Sequence, residues 1–160
     1  MAKLHLDNFN AGVLGGTVYL GIMVGSLATS RFFVPNNQVK NMLVVALALN
    51  ATAICGFGLA NNYILAILFR LISGFCQVFM TIFVPVWADA FAPQKTKSIW
   101  ISILLLMSPV GIFFAMMLTP VFQERMSWEW AFYFQAIATI PVIVGLVFTS
   151  DESLDTFGAA

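Results

Sequence analysis

The sequence is poor in charged side chains. Only 9% of its 160 residues are charged, divided into seven basic and seven acidic residues, whereas 61% are hydrophobic. A soluble domain carries about 25% charged residues, so this composition excludes an ordinary soluble domain. The formal net charge of zero also lacks the excess of Lys and Arg that contacts with a phosphate backbone require. The composition therefore predicts no nucleic-acid partner.

Side chains that build metal and catalytic sites are equally scarce. The one histidine is His5, and the two cysteines, Cys55 and Cys76, lie inside apolar runs. A zinc site needs three or four such ligands together, and nucleophilic hydrolysis needs Ser, His and an acid in contact. Neither pattern occurs in the sequence. We therefore predict no catalytic residues, no metal, no cofactor and no enzymatic activity.

Long apolar runs fill most of the chain. A bilayer crossing needs about 20 apolar residues of helix, and the runs lack the alternation of a membrane β-barrel. The sequence predicts an all-α polytopic membrane protein with five transmembrane helices, at 11–30, 41–60, 62–90, 97–122 and 128–149. In domain terms it predicts a short N-terminal segment at 1–10, a five-helix bundle at 11–149 and an acidic tail at 150–160.

The distribution of basic residues predicts the orientation. Cytoplasmic loops carry an excess of Lys and Arg, and one side of the predicted bundle has four of them: Arg31, Lys40, Lys95 and Lys97. The other side has Lys3 and Arg125. The N-terminus is therefore expected outside and the C-terminus on the cytoplasmic or matrix side. The organelle stays open, with the inner mitochondrial membrane as one alternative, and membrane lipids are expected partners.

Small residues recur along the predicted helices. Helices in lipid associate largely through close backbone approach at such positions. We expect helix packing at seven glycines: Gly12, Gly16, Gly21, Gly25, Gly56, Gly74 and Gly111. A substrate passage that uses the same small residues is the alternative.

Arg70 is the charge that lies clearly within a predicted membrane span. An Arg at the centre of a spanning helix costs at least about 2.5 to 3.5 kcal/mol on insertion scales, and such residues usually mark a pathway or a partner. One interpretation is contact with a partner or lipid; the other is a structural Arg bonded to backbone carbonyls or reaching the interface. At the far end of the same helix, Asp89 is expected to form an interface charge pair with Lys95 and Lys97.

The third to fifth spans resemble a known family. The pattern consists of Arg70-x-x-x-Gly74, Pro85, Ala88-Asp89-Ala90-Phe91, Ser98 and Pro109-x-Gly111. It is similar to the fourth and fifth helices of the major facilitator superfamily, in particular the spinster-like lipid transporters, and residues 128–132 resemble the opening of helix six. The resemblance implies that the five spans correspond to helices two to six of a six-helix half. It also implies the predicted orientation, because the family's loops two-three and four-five are cytoplasmic.

Two departures from that pattern remove carboxylates. Thr29, with Ser30 and Arg31 behind it, stands four residues after Gly25, where the family has an Asp. Gln77 stands seven residues after Arg70, where the spinster-like pattern has a Glu. A Gln cannot carry a proton, so we expect the proton coupling that a buried carboxylate permits to be lost there. The motif is therefore interpreted as degenerate, with Arg70 and Gln77 as the intramembrane site facing a partner or lipid.

Three hypotheses follow. Alternating access rocks one bundle against another, and helix one and a second half of the family fold are missing from this sequence. The first hypothesis is a structural or accessory subunit, derived from a transporter half, in a hetero-oligomeric membrane complex such as a respiratory or other energy-converting assembly. The second is a solute or lipid transporter completed by partner chains, with Arg70 touching an anionic headgroup or substrate. The third is that the sequence is part of a longer transporter.

Overall fold

The computed structural model describes residues 7–32, 39–125, 127 and 129–150, and within them the side chains of all but residues 8, 30–32 and 121–125. This part of the chain forms five helices and no strand: α1 (Asn8–Phe32), α2 (Val39–Leu59), α3 (Tyr63–Phe91), α4 (Lys97–Arg125) and α5 (Glu129–Phe148). All five are long and apolar enough to cross a membrane. The predicted all-α, five-helix architecture is confirmed, with ends that differ by a few residues.

Local sequence explains where α3 begins and ends. The side-chain oxygen of Asn62 accepts a hydrogen bond of 3.2 Å from the backbone N–H of Ile64, which satisfies a donor that the first helical turn leaves free. At the other end Ala92 is extended, with φ −73° and ψ 136°. It precedes Pro93, and a following proline disfavours the helical conformation. Between these ends α3 runs for 29 residues, more than one crossing needs.

The bundle is organised around α3, which contacts α1, α2 and α4, while α5 packs mainly on α2. The buried positions of α1 recur every three or four residues and form one face of the helix: Leu14, Thr17, Gly21, Gly25 and Thr29. At Gly21 an added Cβ would overlap the carbonyl oxygen of Leu71, and at Gly74 it would overlap that of Val18. The absence of side chains at both glycines therefore lets the backbones of α1 and α3 touch.

Two apolar clusters fill the two halves of the bundle. One joins the start of α2 to the second half of α3, through Val39, Leu43, Ala46, Phe79 and Phe83. The other joins the starts of α1 and α3 to the end of α2, through Leu14, Phe57, Ala60 and Ala66. Next to this second cluster, the hydroxyl of Tyr63 donates a hydrogen bond of 3.3 Å to the carbonyl oxygen of Asn10. The starts of α1 and α3 therefore lie at the same end of the bundle.

Helix α4 stands apart from this core. None of its residues between Lys97 and Pro120 is buried, and its neighbours are α3 and α5. Several of its apolar side chains, such as Phe113 and Met116, are more than half exposed. An apolar helix exposed on most sides is the expected state of a segment that faces lipid or further helices.

Candidate functional site

Arg70 lies in the half of the bundle where α1 and α3 begin. It is the eighth residue of α3, about 10 Å along the helix axis from its start, and it is half-buried. Its guanidinium carbon lies 4.1 Å from the ring centroid of Phe57 on α2 and 4.9 Å from that of Phe132 on α5. The two rings meet edge to face, with centroids 4.8 Å apart. Three helices thus hold one cation against two aromatic faces.

The polar contacts of Arg70 are fewer than its charge demands. Its Nε is buried and has no hydrogen-bond partner among the described residues. Among the described residues no backbone carbonyl accepts from the guanidinium and no carboxylate pairs with it. The five N–H donors of a guanidinium point outward in its plane, and the Nε–H of Arg70 is one of them. The in-plane directions therefore remain suited to an acceptor.

A short chain of polar side chains runs beside Arg70. Ser73 donates a hydrogen bond of 2.7 Å from its hydroxyl to Oδ1 of Asn50, and Gln77 donates from Nε2 to the Ser73 oxygen at 3.5 Å. Asn50 and Ser73 are buried. Polar groups buried in an apolar bundle are stable when they bond to one another, and this chain joins α2 to α3. It leaves the second amide hydrogen of Gln77 for another acceptor.

Arg70, Ser73 and Gln77 line a cavity of about 20 Å³. Its remaining walls come from α2, α3 and α5: Ala53, Ile54, Phe57, Phe69, Phe132 and Gln135. A larger groove of about 490 Å³ lies between α4 and α5, with Gly111, Phe114, Ala115, Leu118 and Ala138 among its mainly apolar walls. Phe132 and Gln135 line both spaces. The polar cavity and the apolar groove are therefore neighbours.

The predicted packing glycines divide into two groups. Gly21, Gly25, Gly56 and Gly74 face other helices so closely that an added Cβ would collide with their atoms. At Gly12, Gly16 and Gly111 a Cβ would meet nothing within 4 Å. Gly12 and Gly16 lie off the buried face of α1, and Gly111 lines the groove between α4 and α5. A packing role for these three stays a prediction.

The remaining predicted residues lie away from Arg70. Lys97 and Asp89 form an ion pair of 2.6 Å between the start of α4 and the end of α3, and Lys95 is exposed in the turn between them. Thr29 is fully buried and donates from its hydroxyl to the carbonyl oxygen of Gly25 at 2.7 Å. The side chain of Arg31 and most of the segments 1–10 and 150–160 lie outside the described residues. Of the predicted residues, the structure brings Arg70 and Gln77 together at one cavity.

Sequence reasoning missed the groups that surround Arg70. Phe57 and Phe132 are two of 16 phenylalanines, and nothing in their local pattern separates them from lipid-facing residues. Asn50 and Gln135 carried a detectable signal, because each is an uncharged polar residue inside an apolar run and such groups usually find polar partners.

Comparison with known proteins decides the family. The family profile described as the Major Facilitator Superfamily matches residues 1–158. The chain belongs to the Major Facilitator Superfamily. The resemblance carried by Arg70-x-x-x-Gly74 and the following motifs is thereby confirmed at the level of the family. With five helices of spanning length and composition, this Major Facilitator chain is an integral, multi-pass membrane protein.

Relatives with curated descriptions are transport proteins. The chain is 25% identical over 143 residues to "Probable sphingolipid transporter spinster homolog 1" of Arabidopsis thaliana, and the match covers 89% of this chain and 29% of that protein. It is 27% identical over 141 residues to "Probable sphingolipid transporter spinster homolog 3" of the same plant, covering 88% and 26%. To the gentisate transporter of Corynebacterium glutamicum it is 27% identical over 157 residues, covering 94% and 35%.

The chain therefore spans about a third of the length of these Major Facilitator relatives. No solved structure matches it significantly.

Proposed function

We propose that the chain forms part of a membrane transporter for an anionic solute with an apolar portion, and that transport, not catalysis, is its role. The observation that carries the proposal is the position of the Arg70 cavity directly beside the apolar groove between α4 and α5, with Phe132 and Gln135 in both. The guanidinium would meet the anionic group. The groove would hold the apolar part.

The cost of the charge supports this proposal. An Arg within a membrane span is unfavourable unless it is paired or solvated, and Arg70 has no acidic partner among the described residues. Aromatic faces attract a cation by about 0.5 to 2 kcal/mol each, so at the lower end of that range the two rings offset only part of the cost, and the buried Nε still lacks an acceptor among the described residues. A substrate that brings its own negative charge would contribute the rest during binding.

The names of the relatives are consistent with such a substrate. Two are described as sphingolipid transporters and one as a gentisate transporter, and gentisate is an aromatic carboxylate. A phosphorylated sphingoid base and gentisate both combine an anionic group with apolar surface. We use these two compounds as probes of the class.

The test is flux through the protein purified in mild detergent from its own membrane, together with its companion chains, and reconstituted into vesicles. We expect uptake of radiolabelled gentisate or of a phosphorylated sphingoid base, at least tenfold slower in Arg70→Gln. The matched control is Lys95→Gln, which removes an exposed charge in the α3–α4 turn and should leave uptake unchanged. Uptake that is absent, or equal in Arg70→Gln and the parent protein, would contradict the proposal.

A second candidate is the non-transporting subunit of a larger hetero-oligomeric membrane complex. The observation in its favour is Thr29, which is fully buried one turn after Gly25, where α1 packs on α3, and which stands where the resemblance places a charged residue. A neutral, closely packed contact between α1 and α3 is typical of helices that stay in one arrangement. Transport by alternating access requires one bundle to rock against another. Co-migration of the native protein with a large multi-subunit enzyme, without uptake of either probe, would favour this candidate.

A further inference from the structure

The cavity beside Arg70 is large enough for one water molecule or one monatomic ion. Its volume is about 20 Å³, which is sufficient for one water molecule and comparable with a monatomic ion. It does not accommodate a whole organic solute. The cavity and the neighbouring groove therefore differ in what each can hold.

The donors that face this cavity match an anion. The Nε of Arg70 is buried and lacks an acceptor among the described residues, and Phe57 and Phe132 lie against the guanidinium, whose N–H donors point outward in its plane. Gln77 gives one amide hydrogen to Ser73 and keeps a second. Gln135 adds another amide at the wall. The lining residues thus supply one guanidinium and two amide groups as N–H donors, and no carboxylate is among them.

Charge balance distinguishes an anion from a water molecule. Water would accept the hydrogen bond of Nε but would add no negative charge, so the Phe57 and Phe132 rings alone would counter the charge of Arg70. A buried charge is strongly unfavourable unless it is paired. A small anion supplies both the acceptor and the opposite charge, and it fits the same space.

We propose that this cavity binds a monatomic anion, chloride, in contact with the Arg70 guanidinium and the amides of Gln77 and Gln135. Chloride would neutralise Arg70 when no anionic solute is present. It would occupy the same donors as the anionic group in the proposed function. The chloride site rests on the proposed transport function, because both use the donors of Arg70. Chloride binding is measured first by thermal stability, and that measurement does not require transport.

The first experiment measures melting temperature by tryptophan fluorescence on the protein purified with its companion chains. Chloride replaces gluconate at constant ionic strength. We expect chloride and bromide to raise the melting temperature by several degrees, with saturation in the millimolar range. Melting temperatures in chloride and in bromide that equal the melting temperature in gluconate would overturn the inference.

Variants locate the effect in the cavity. Gln77→Glu places a carboxylate in the wall beside Arg70, so the protein should fold and lose its response to chloride. The matched control is Gln94→Glu, the same change at an exposed position in the α3–α4 turn, which should keep the full response. Arg70→Gln should also lose the response, and Gln135→Leu should raise the chloride concentration for half-maximal stabilisation severalfold. An undiminished response in Gln77→Glu would contradict the proposed site.

A flux measurement separates the two proposals. If the chloride response is present and no probe is taken up, the anion site stands and the transport proposal fails. If uptake occurs without a chloride response, the anion inference fails and Arg70 serves the solute alone. If both hold, chloride should slow uptake competitively over the same concentration range that stabilises the protein.

Discussion

The hydroxyl of Ser73 on α3 donates a hydrogen bond of 2.7 Å to Oδ1 of Asn50 on α2, and both residues are buried. This bond joins α2 to α3, which also share the apolar cluster of Val39, Leu43, Ala46, Phe79 and Phe83. It also fixes the oxygen to which Gln77 donates. The position of the Gln77 amide beside Arg70 therefore depends on a contact between two other residues.

Loss of that bond should weaken the α2–α3 contact. We expect Ser73→Ala to lower the free energy of unfolding by about 0.6 kcal/mol, the average for hydrogen bonds between membrane helices, and by no more than about 1.7 kcal/mol, the largest such value. Denaturant titration in detergent provides the measurement. Ser102→Ala, at an exposed position of α4, is the control and should change stability much less; equal losses in the two variants would show that the bond contributes nothing specific.

The contact between α1 and α3 should tolerate no side chain at its closest point. A methyl group at Gly21 or Gly74 would overlap backbone carbonyl oxygens, which cannot move without separating the helices. We expect Gly21→Ala and Gly74→Ala each to destabilise by about 1 to 3 kcal/mol, as overpacking does. Gly16→Ala, which meets open space, should be neutral or slightly stabilising because alanine favours helix. Thermal melts of the three variants check the order.

The aromatic rings should stabilise Arg70 through a coupling that a double-mutant cycle can isolate. For the pair of Arg70 and Phe132 we expect a coupling energy of about 0.5 to 2 kcal/mol, from Arg70→Leu, Phe132→Leu and the double variant. The same cycle with Phe148, which is 84% exposed, should give a value near zero. A null coupling for Phe132 would mean that the rings only pack beside the cation.

The ion pair between Asp89 and Lys97 should contribute little. The Asp89 side chain is 64% exposed, and exposed pairs are worth about 0.2 to 1 kcal/mol. We expect Asp89→Asn to lower stability by no more than this and the loss to disappear at high salt, where exposed charges are screened. A larger loss that persists in high salt would indicate that Asp89 has another partner in the native membrane.

Much of the fold could be predicted because membrane helices are long and uniformly apolar. The five runs, the excess length of α3 and the Arg70-x-x-x-Gly74 pattern were visible without coordinates. The contact between Gly21 and Gly74 was predicted only in part. Both glycines were expected to pack against another helix, but so were Gly12 and Gly16, where an added Cβ would meet no atom within 4 Å. The face that a helix turns toward its neighbour depends on the other helices, and a spacing of four residues does not contain that information.

The sequence by itself determined that the chain forms membrane-spanning helices and that Arg70 is an energetically costly charge within one of them. It also determined that residue 77, seven positions after Arg70, is an uncharged Gln. Hydropathy and charge are properties of single residues, so no coordinates are needed to read them. Only the tertiary structure decided what surrounds that charge. Helix α2 contributes Phe57, and α5 contributes Phe132 and Gln135. The two rings lie against Arg70 and Gln135 lines the same cavity, because α3 turns its Arg70 face toward α2 and α5. The close contact of α1 with α3 at Gly21 and Gly74 fixes which face of α3 is turned toward α1. This contact joins residues that are far apart in the sequence, so it forms only in the folded bundle.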